Sequence, residues 1–324
     1  MDVSVMFRQA VDAAIEFPIV TSFTSIGPAI RRRLDGWTPL GDYDLTGRVV
    51  VLTGATSGLG AAAAARFAGL GADLVIVGRD RERTEASAAS LGELGAGEVT
   101  AVIADMGELA DVGTAAETIL TRYPVVHVLV HNAGALVDER RTTSAGHEAT
   151  VASQVYGPHL LTRKLLPALR AARPGRVLTM SSGGMYTADL EIADLEMDAD
   201  SYTGTQQYAR AKRAQVALAE KWAARVDTGE VVFHTLHPGW ADTPGVEDAL
   251  PGFHRVLGPV LRSAEQGADT LVWLTCDDEA LTSSGDFWLD RRRRTTHRLP
   301  STKRSDTPER RAELWAHVEA QLGQ

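Results

Sequence analysis

The sequence predicts an α/β fold, a three-layer αβα sandwich around a seven-stranded parallel sheet. Three observations predict it. Short β-branched runs alternate with helix-length segments from Arg48 onward. Those runs are apolar on both sides, as strands covered by helices on both faces must be. The first run ends in a glycine-rich turn that leads into a helix, the arrangement that places a ligand at the carboxyl end of a wound sheet. The runs are VVVLT at 49–53, DLVIVG at 73–78, EVTAVI at 98–103, VVHVLV at 125–130, RVLTMS at 176–181, VVFHTL at 231–236 and GDFWLD at 285–290. They make one sheet, although 324 residues would also accommodate two domains of about 150 each. No internal repeat competes with this organisation.

Lys and Arg number 33 against 42 Asp and Glu, a formal charge of −9, which argues against a nucleic-acid partner. Hydrophobic residues make up 44% and charged residues 23%, a balance that suits a globular chain with a large core. The single Cys276 can form neither an internal disulfide nor a multi-cysteine metal site, so a reducing compartment is expected. With no transmembrane run of ~18 apolar residues and no signal-peptide pattern, the expected location is cytoplasmic.

The flanks follow in chain order. Val3, Met6, Phe7, Ala10, Val11, Ala14 and Ile15 recur at three- and four-residue steps, which predicts an amphipathic N-terminal helix. Its apolar face is expected to pack on the domain or on a partner subunit. Membrane-surface contact is the sharper alternative, disfavoured because the polar side carries more acids than bases. Residues 1–45 are therefore read as helix and linker, 46–290 as the wound domain, and 291–324 as a tail. Arg291 to Arg304 reads as a solvated basic loop, and Thr307-Pro308 as the cap of a last helix with Leu314, Val318 and Leu322 on one stripe.

The first turn is Thr53-Gly54-Ala55-Thr56-Ser57-Gly58-Leu59-Gly60. Its glycines allow a tight turn and let N–H groups of Gly54, Ser57, Gly58, Leu59 and Gly60 approach a pyrophosphate at a helix N-terminus, where the dipole favours negative charge. This is the chemistry of a Rossmann-like dinucleotide site. The spacing TGxxxGxG resembles the short-chain dehydrogenase/reductase family. Further motifs agree in order: Asn132-Ala133-Gly134, Asp105 followed by Met106, Ser182, Tyr208-Ala209-Arg210-Ala211-Lys212, and Pro238-Gly239-Trp240-Ala241-Asp242-Thr243. The resemblance implies that Asn132, Ala133 and Gly134 lie beside the adenine ribose and that Asp105 and Met106 lie at the adenine. It implies that Pro238, Gly239 and Thr243 close over the nicotinamide, and that Ser182, Tyr208 and Lys212 are catalytic.

The physical case for Tyr208 and Lys212 stands beside that resemblance. Four residues apart on a helix, they share a face. A free phenol titrates near pH ~10, too high for proton exchange at neutral pH, and a nearby ammonium favours the phenolate. Lowering the pKa by ~3 units requires about 4 kcal/mol, which Lys212 and an oxidised nicotinamide could share. Ser182 would then hydrogen-bond the substrate oxygen. One departure stands out: the family's usual tetrad Asn is replaced by Gln154, whose extra methylene displaces the amide on the proton path to Lys212.

Cofactor choice rests on Val77-Gly78-Arg79-Asp80. An acid at the strand end would favour NAD(H), whereas Arg79 can pair with a 2′-phosphate and points to NADP(H). The alternative is that Arg79 is a surface residue and Asp80 takes the ribose hydroxyl. The interval from Ser182 to Tyr208 is long for the family and resembles its retinol-dehydrogenase-like branch. Motifs at 181–185, 237–246, 251–254 and 266–270 are similar to the dehydrogenase/reductase family member 12-like subfamily. The acidic run from Asp189 to Asp200 is expected over the active site and hints at a carbonyl or alcohol substrate that is not strongly anionic. Trp240, Phe253 and His254 are candidates to line its pocket, with core packing the equal alternative. His127 and His131 read as packed core residues, and no metal site is expected. Family habit implies a homodimer or homotetramer through the helices bearing Gly157 and Tyr208. The rival function is a cofactor-binding regulator or scaffold without turnover.

Overall fold

The computed structural model describes residues 3–243, 247 and 251–323. Its sheet runs in the order β3-β2-β1-β4-β5-β6-β7-β8. The first seven strands are parallel: β1 (Val49–Thr53), β2 (Asp73–Gly78), β3 (Val99–Ile103), β4 (Val128–His131), β5 (Gly175–Met180), β6 (Val231–Leu236) and β7 (Phe287–Leu289). The seven-strand expectation therefore needs one addition. β8 (Arg292–Arg294) pairs antiparallel with β7, with Leu289 opposite Arg292. The tail that reads as a solvated loop is an edge strand.

The reason lies in where its arginines go. Arg291 binds Asp269 through Nε and Nη2 at 2.8 and 2.9 Å. Arg292 binds Asp35 and Arg294 binds Asp12, and both acids lie in the N-terminal region. The two residues joining β7 to β8, Asp290 and Arg291, have φ of 53° and 54°, the left-handed values of a two-residue hairpin turn. Neither is Gly or Asn, so the conformation is held by partners: buried Asp290 accepts from Arg31 Nη1 at 2.5 Å and Arg262 Nη1 at 2.6 Å.

The helices α4 (Gly58–Gly69), α5 (Arg81–Glu93) and α6 (Leu109–Arg122) follow β1, β2 and β3. After β4 the chain rises through α7 (Ala149–Val151), a π-helical turn (Ala152–Tyr156) and α8 (Gly157–Ala172). Then come α9 (Gly204–Ala223), α10 (Pro251–Leu257) and α11 (Ala264–Cys276), and after β8 α12 (Pro300–Ser305) and α13 (Pro308–Leu322). Core side chains fill both faces of the sheet, with Phe67, Ile76, Leu271 and Trp288 on one and Ile119, Leu161, Leu165 and Phe233 on the other.

α13 starts as the sequence predicts, with Thr307 Oγ1 accepting from the Arg310 N–H, and it buries Leu314 and Val318 against α9 and the π turn. Trp315 packs on His159 and Trp222, and Glu319 bonds His159 at 2.8 Å. The chain itself thus fills part of the surface that the helices bearing Gly157 and Tyr208 would offer a partner.

At the other terminus the first of the two expected placements, packing on the domain, is not met. α1 (Val3–Glu16), α2 (Ile19–Phe23) and α3 (Ile26–Asp35) form a helical unit, but α1 does not bury its apolar face. Met6, Phe7, Ala10, Ala14 and Phe17 are exposed, whereas Asp12 and Ile15 are buried. The cause is a set of ion pairs. Asp12 meets Arg31 at 2.8 Å and Arg294 at 2.6 Å, and Glu16 meets Arg31 and Arg298. Burial opposes the charge on Asp12, yet hydrogen bonds and charge from Arg294 and Arg31 hold its carboxyl well below the usual carboxylate range.

Candidate active site

At the carboxyl end of β1 the chain makes the predicted turn, and β4 locks it. Thr53 Oγ1 accepts from the N–H groups of Asn132 and Ala133 at 3.1 and 3.0 Å, and Asn132 Nδ2 donates to the carbonyls of Thr53 and Gly54. Gly54 has φ +72°, and a Cβ there would lie 2.8 Å from Ala133 Cα. A Cβ on Gly60 would sit 1.9 Å from Gly54 O. Both positions therefore exclude side chains on contact distance alone. Ser57 caps the backbone of α4 without a side-chain hydrogen bond. The first N–H groups of α4, at Gly58, Leu59 and Gly60, are thus not taken by a side-chain cap, and the helix dipole adds positive potential there.

Arg79 is exposed at the end of β2, next to Gly78. Asp80, its rival for the ribose, caps α5 by accepting from the Arg83 N–H at 2.9 Å. Asp105 follows β3 and accepts from the Gly107 N–H at 2.8 Å, and Met106 is buried beside it.

The catalytic candidates converge near this turn, around Gly134, where the proposed cofactor groove would run. Lys212 is buried on α9, and its ammonium donates to Met180 O at 2.9 Å and lies 5.2 Å from the centre of the Tyr208 ring. Gln154 Oε1 and Lys212 Nζ both border Gly134, 3.0 and 3.3 Å from where its Cβ would stand. Gln154 Nε2 donates to Ala135 O, while its own carbonyl, within the π turn, accepts from Gln215 Nε2 at 2.6 Å. Ser182, at the end of β5, accepts from the Gly184 N–H at 3.2 Å.

The electrostatics differ from the sequence expectation. Burial pushes the Tyr208 phenol up to about 12, with the Ser182 hydroxyl pulling the other way. Burial pushes the Lys212 ammonium down to about 7. The side chains around Tyr208 therefore do not supply the lowered phenol pKa expected from Lys212. Desolvation is the largest cause for both groups.

The far end of the groove is built by side chains. Gly239 (φ +78°) bonds His237 Nδ1 through its N–H, and Pro238 O accepts from Arg262. Thr243 sits against Gly58, its Cγ2 3.4 Å from where a Gly58 Cβ would stand. Arg262 is fully buried and also donates to the carbonyls of Ser22, Phe23 and Thr24 and to Asp290. Phe23 packs edge-on to His237 and Trp240, at 4.3 and 5.6 Å between ring centres.

The sequence reading gives Thr53, Arg262, Asp290 and Phe23 no role at the site. Thr53 stood inside the recognised turn and could have been found there. The hydrogen bonds of the other three span 24 to 259 residues of chain, and no local pattern marks them. Trp240 joins this aromatic group, and His254 bonds Asp242 at 2.9 Å. Pro244, Gly245, Val246 and the side chains of Pro251 and Phe253 lie outside the described residues.

The insertion between Ser182 and Tyr208 is pinned down rather than loose. Leu190, Ile192 and Leu195 are buried against residues 151–156 and α13. Glu196 accepts from the Glu148 N–H and Tyr156 Oη, and Asp194 pairs with Arg210. Asp189 and Glu191 line an open groove of about 580 Å³ between the insertion and α9. His131 bonds Thr162, and His127 Nδ1 accepts from the Val49 N–H. Among the described residues no three of His, Cys, Asp and Glu converge as metal ligands, and no helix is long and apolar enough to cross a membrane.

The short chain dehydrogenase family profile matches residues 48–251. The chain belongs to the short-chain dehydrogenase/reductase family. Human dehydrogenase/reductase SDR family member 12 is 38% identical over 269 residues, covering 82% of this chain and 84% of its own. A Streptomyces (strain C5) relative named as a proposed daunorubicin C-13 ketoreductase is 35% identical over 248 residues, 76% of this chain and 85% of its own. The solved structure of L-sorbose reductase from Gluconobacter frateurii, complexed with NADPH and L-sorbose, superposes with a TM-score of 0.61 at 24% identity, covering 76% and 96% of the two chains. That last likeness speaks to the fold alone.

Proposed function

We propose that this short-chain dehydrogenase/reductase is an NADP(H)-dependent oxidoreductase that interconverts a carbonyl and a primary or secondary alcohol, with Tyr208 as the acid/base. The observation that carries the reading is the convergence of Ser182, Tyr208 and Lys212 beside a groove whose floor is the backbone turn at Gly54 to Gly60. The residues fit a dinucleotide: side chains are excluded at Gly54 and Gly60, the first turn of α4 presents N–H groups, and Asn132 is committed to holding the turn. Arg79 and the engagement of Asp80 as a helix cap support the phosphorylated form over NAD(H).

When bound, NADPH supplies the hydride. In the reductive direction Ser182 holds the carbonyl oxygen and stabilises the negative charge that develops on it. Tyr208 donates its phenolic proton to that oxygen, and the alcohol leaves. In the oxidative direction the Tyr208 phenolate takes the proton back. Lys212, held by Met180 O, has donors left for the nicotinamide ribose. Pro238, Gly239 and Thr243 would close over the nicotinamide.

The substrate we propose is an uncharged, apolar carbonyl compound or alcohol. The aromatic group of Phe23, Trp240 and His237 and the acids Asp189 and Glu191 in the neighbouring groove support that choice, and the name of the Streptomyces relative, a ketoreductase, agrees with a carbonyl substrate. We place the activity in the cytoplasm.

Gln154 favours a second reading, a catalytically weak NADP(H)-binding regulator, because the carbonyl of this residue is already occupied by Gln215. Turnover decides between the two. Purified protein should oxidise NADPH with a panel of apolar aldehydes and ketones, and Tyr208→Phe should lower kcat about 10²- to 10⁴-fold while leaving NADPH binding intact. Tight NADPH binding with no turnover on any carbonyl would favour the regulator.

A further inference from the structure

The N-terminal unit is turned inside out. On α1, Met6, Ala10, Ala13 and Phe17 recur at three- and four-residue steps and are all exposed, with Phe7 64% and Phe17 90% accessible. Ile19 and Val20 at the start of α2 are exposed as well. On α3, Ile26 and Ile30 are exposed and share a stripe with Arg33. Isolated exposed apolar side chains are ordinary, but this many large ones on one 35-residue unit mark a surface made to be covered.

Charge decides what covers it. The acids of the described part of this unit are Asp12, Glu16 and Asp35, and each is in an ion pair with an arginine of the chain: Arg31 and Arg294, Arg298, and Arg292 respectively. Its remaining charges, Arg8, Arg32 and Arg33, are all exposed, and of these Arg32 also reaches Asp269 at 3.8 Å. A count of acids and bases along α1 argues against a lipid surface, but the acids do not face outward. What faces outward is apolar and basic, the pattern of a helix lying in the interface of an anionic bilayer. A two-fold contact with a second copy would bring the same arginines together.

We infer that α1 to α3 form an interfacial docking surface for an anionic bilayer, with Met6, Phe7, Phe17, Ile19 and Val20 entering the headgroup region and Arg8, Arg32 and Arg33 meeting lipid phosphates. α2 belongs to both surfaces, with Val20 outward and Phe23 against the cleft.

The test is co-sedimentation of the full chain with phosphatidylcholine vesicles, with and without about 30% phosphatidylglycerol, at about 0.1 M salt. The protein pellets with the anionic vesicles, about tenfold less with neutral ones, and is released by about 1 M salt. Phe7→Ser with Phe17→Ser lowers partitioning about tenfold or more, and each of Arg32→Gln and Arg33→Gln lowers it about fivefold. All four sites are exposed, so thermal unfolding of these variants stays that of the wild type, which separates lost docking from lost folding. The inference is overturned if the protein stays in the supernatant with anionic vesicles, or if Phe7→Ser with Phe17→Ser pellets as the wild type does. It is also overturned if these substitutions dissolve a stable dimer seen by light scattering, which would make the covering surface a second copy.

Discussion

The two ends of the proposed cofactor groove are built by different means. At the β1–β4 end the backbone does the work: the Gly54 turn, the N-terminus of α4 and the amide of Asn132 meet over a few ångströms of main chain. At the β6–β7 end, Pro238 and Gly239 are held by Arg262, which is in turn held by Asp290 and by three carbonyls of the N-terminal unit. A backbone-built end tolerates little change in its glycines but carries little of the stability. An end built on a buried ion network carries stability from segments more than 200 residues apart. Its charges are matched, so the loss of any one strands another.

That contrast can be broken in order of expected effect. Arg262→Met leaves Asp290 with half its partners and the carbonyl of Ser22 without its guanidinium donor, so stability should fall by about 3–5 kcal/mol. Urea unfolding measures it; a loss below about 1 kcal/mol would mean that water replaces the guanidinium and that the network is not structural. Gly60→Ala should do the reverse. A methyl 1.9 Å from Gly54 O must displace the turn, so NADPH affinity should drop about 100-fold or more while stability changes by about 1–2 kcal/mol. Equal damage to both quantities would remove the distinction between the two ends.

Lys212→Met sharpens the picture between those ends. The ammonium titrates near pH 7 in the folded chain and near 10.5 in the unfolded one. Between those values the unfolded state binds more protons, so Lys212 makes stability rise with pH across that window, and its full cost is present, independent of pH, below it. The variant should lose turnover yet gain about 2 °C or more in Tm at pH 7, with a flatter pH profile up to 10. A lower Tm at pH 7 would show that the bond to Met180 O outweighs the cost of burying the charge.

What could be read from the sequence follows the same division. The strands at 49–53, 73–78 and 231–236 fall where their β-branched runs predict, and the glycine turn and YxxxK are local patterns that survive folding intact. β8 was not legible because its hairpin turn is Asp290-Arg291, which has no intrinsic preference for positive φ and adopts it through partners at Arg31, Arg262 and Asp269. α1 and α13 show the limit of periodicity. Both have an apolar stripe, but α13 buries Leu314 and Val318, whereas α1 turns Asp12 and Glu16 inward because arginines from α3 and the tail wait there. A hydrophobic pattern says which residues share a face, not which face the rest of the chain will claim. Tyr208 and Lys212 were found as a pair, but their pKa shifts depend on burial that spacing does not encode.

The central claim is that the groove binds a phosphorylated nicotinamide dinucleotide through Arg79, and the most direct test is fluorescence titration of the wild type and Arg79→Ala with NADPH and NADH. NADPH should bind at least about tenfold tighter than NADH in the wild type, with the preference lost in Arg79→Ala through weaker NADPH binding alone, as removal of a charge-assisted bond worth about 1.5–3 kcal/mol requires. Equal affinities in the wild type would contradict the role of Arg79, and no binding of either would contradict the site itself.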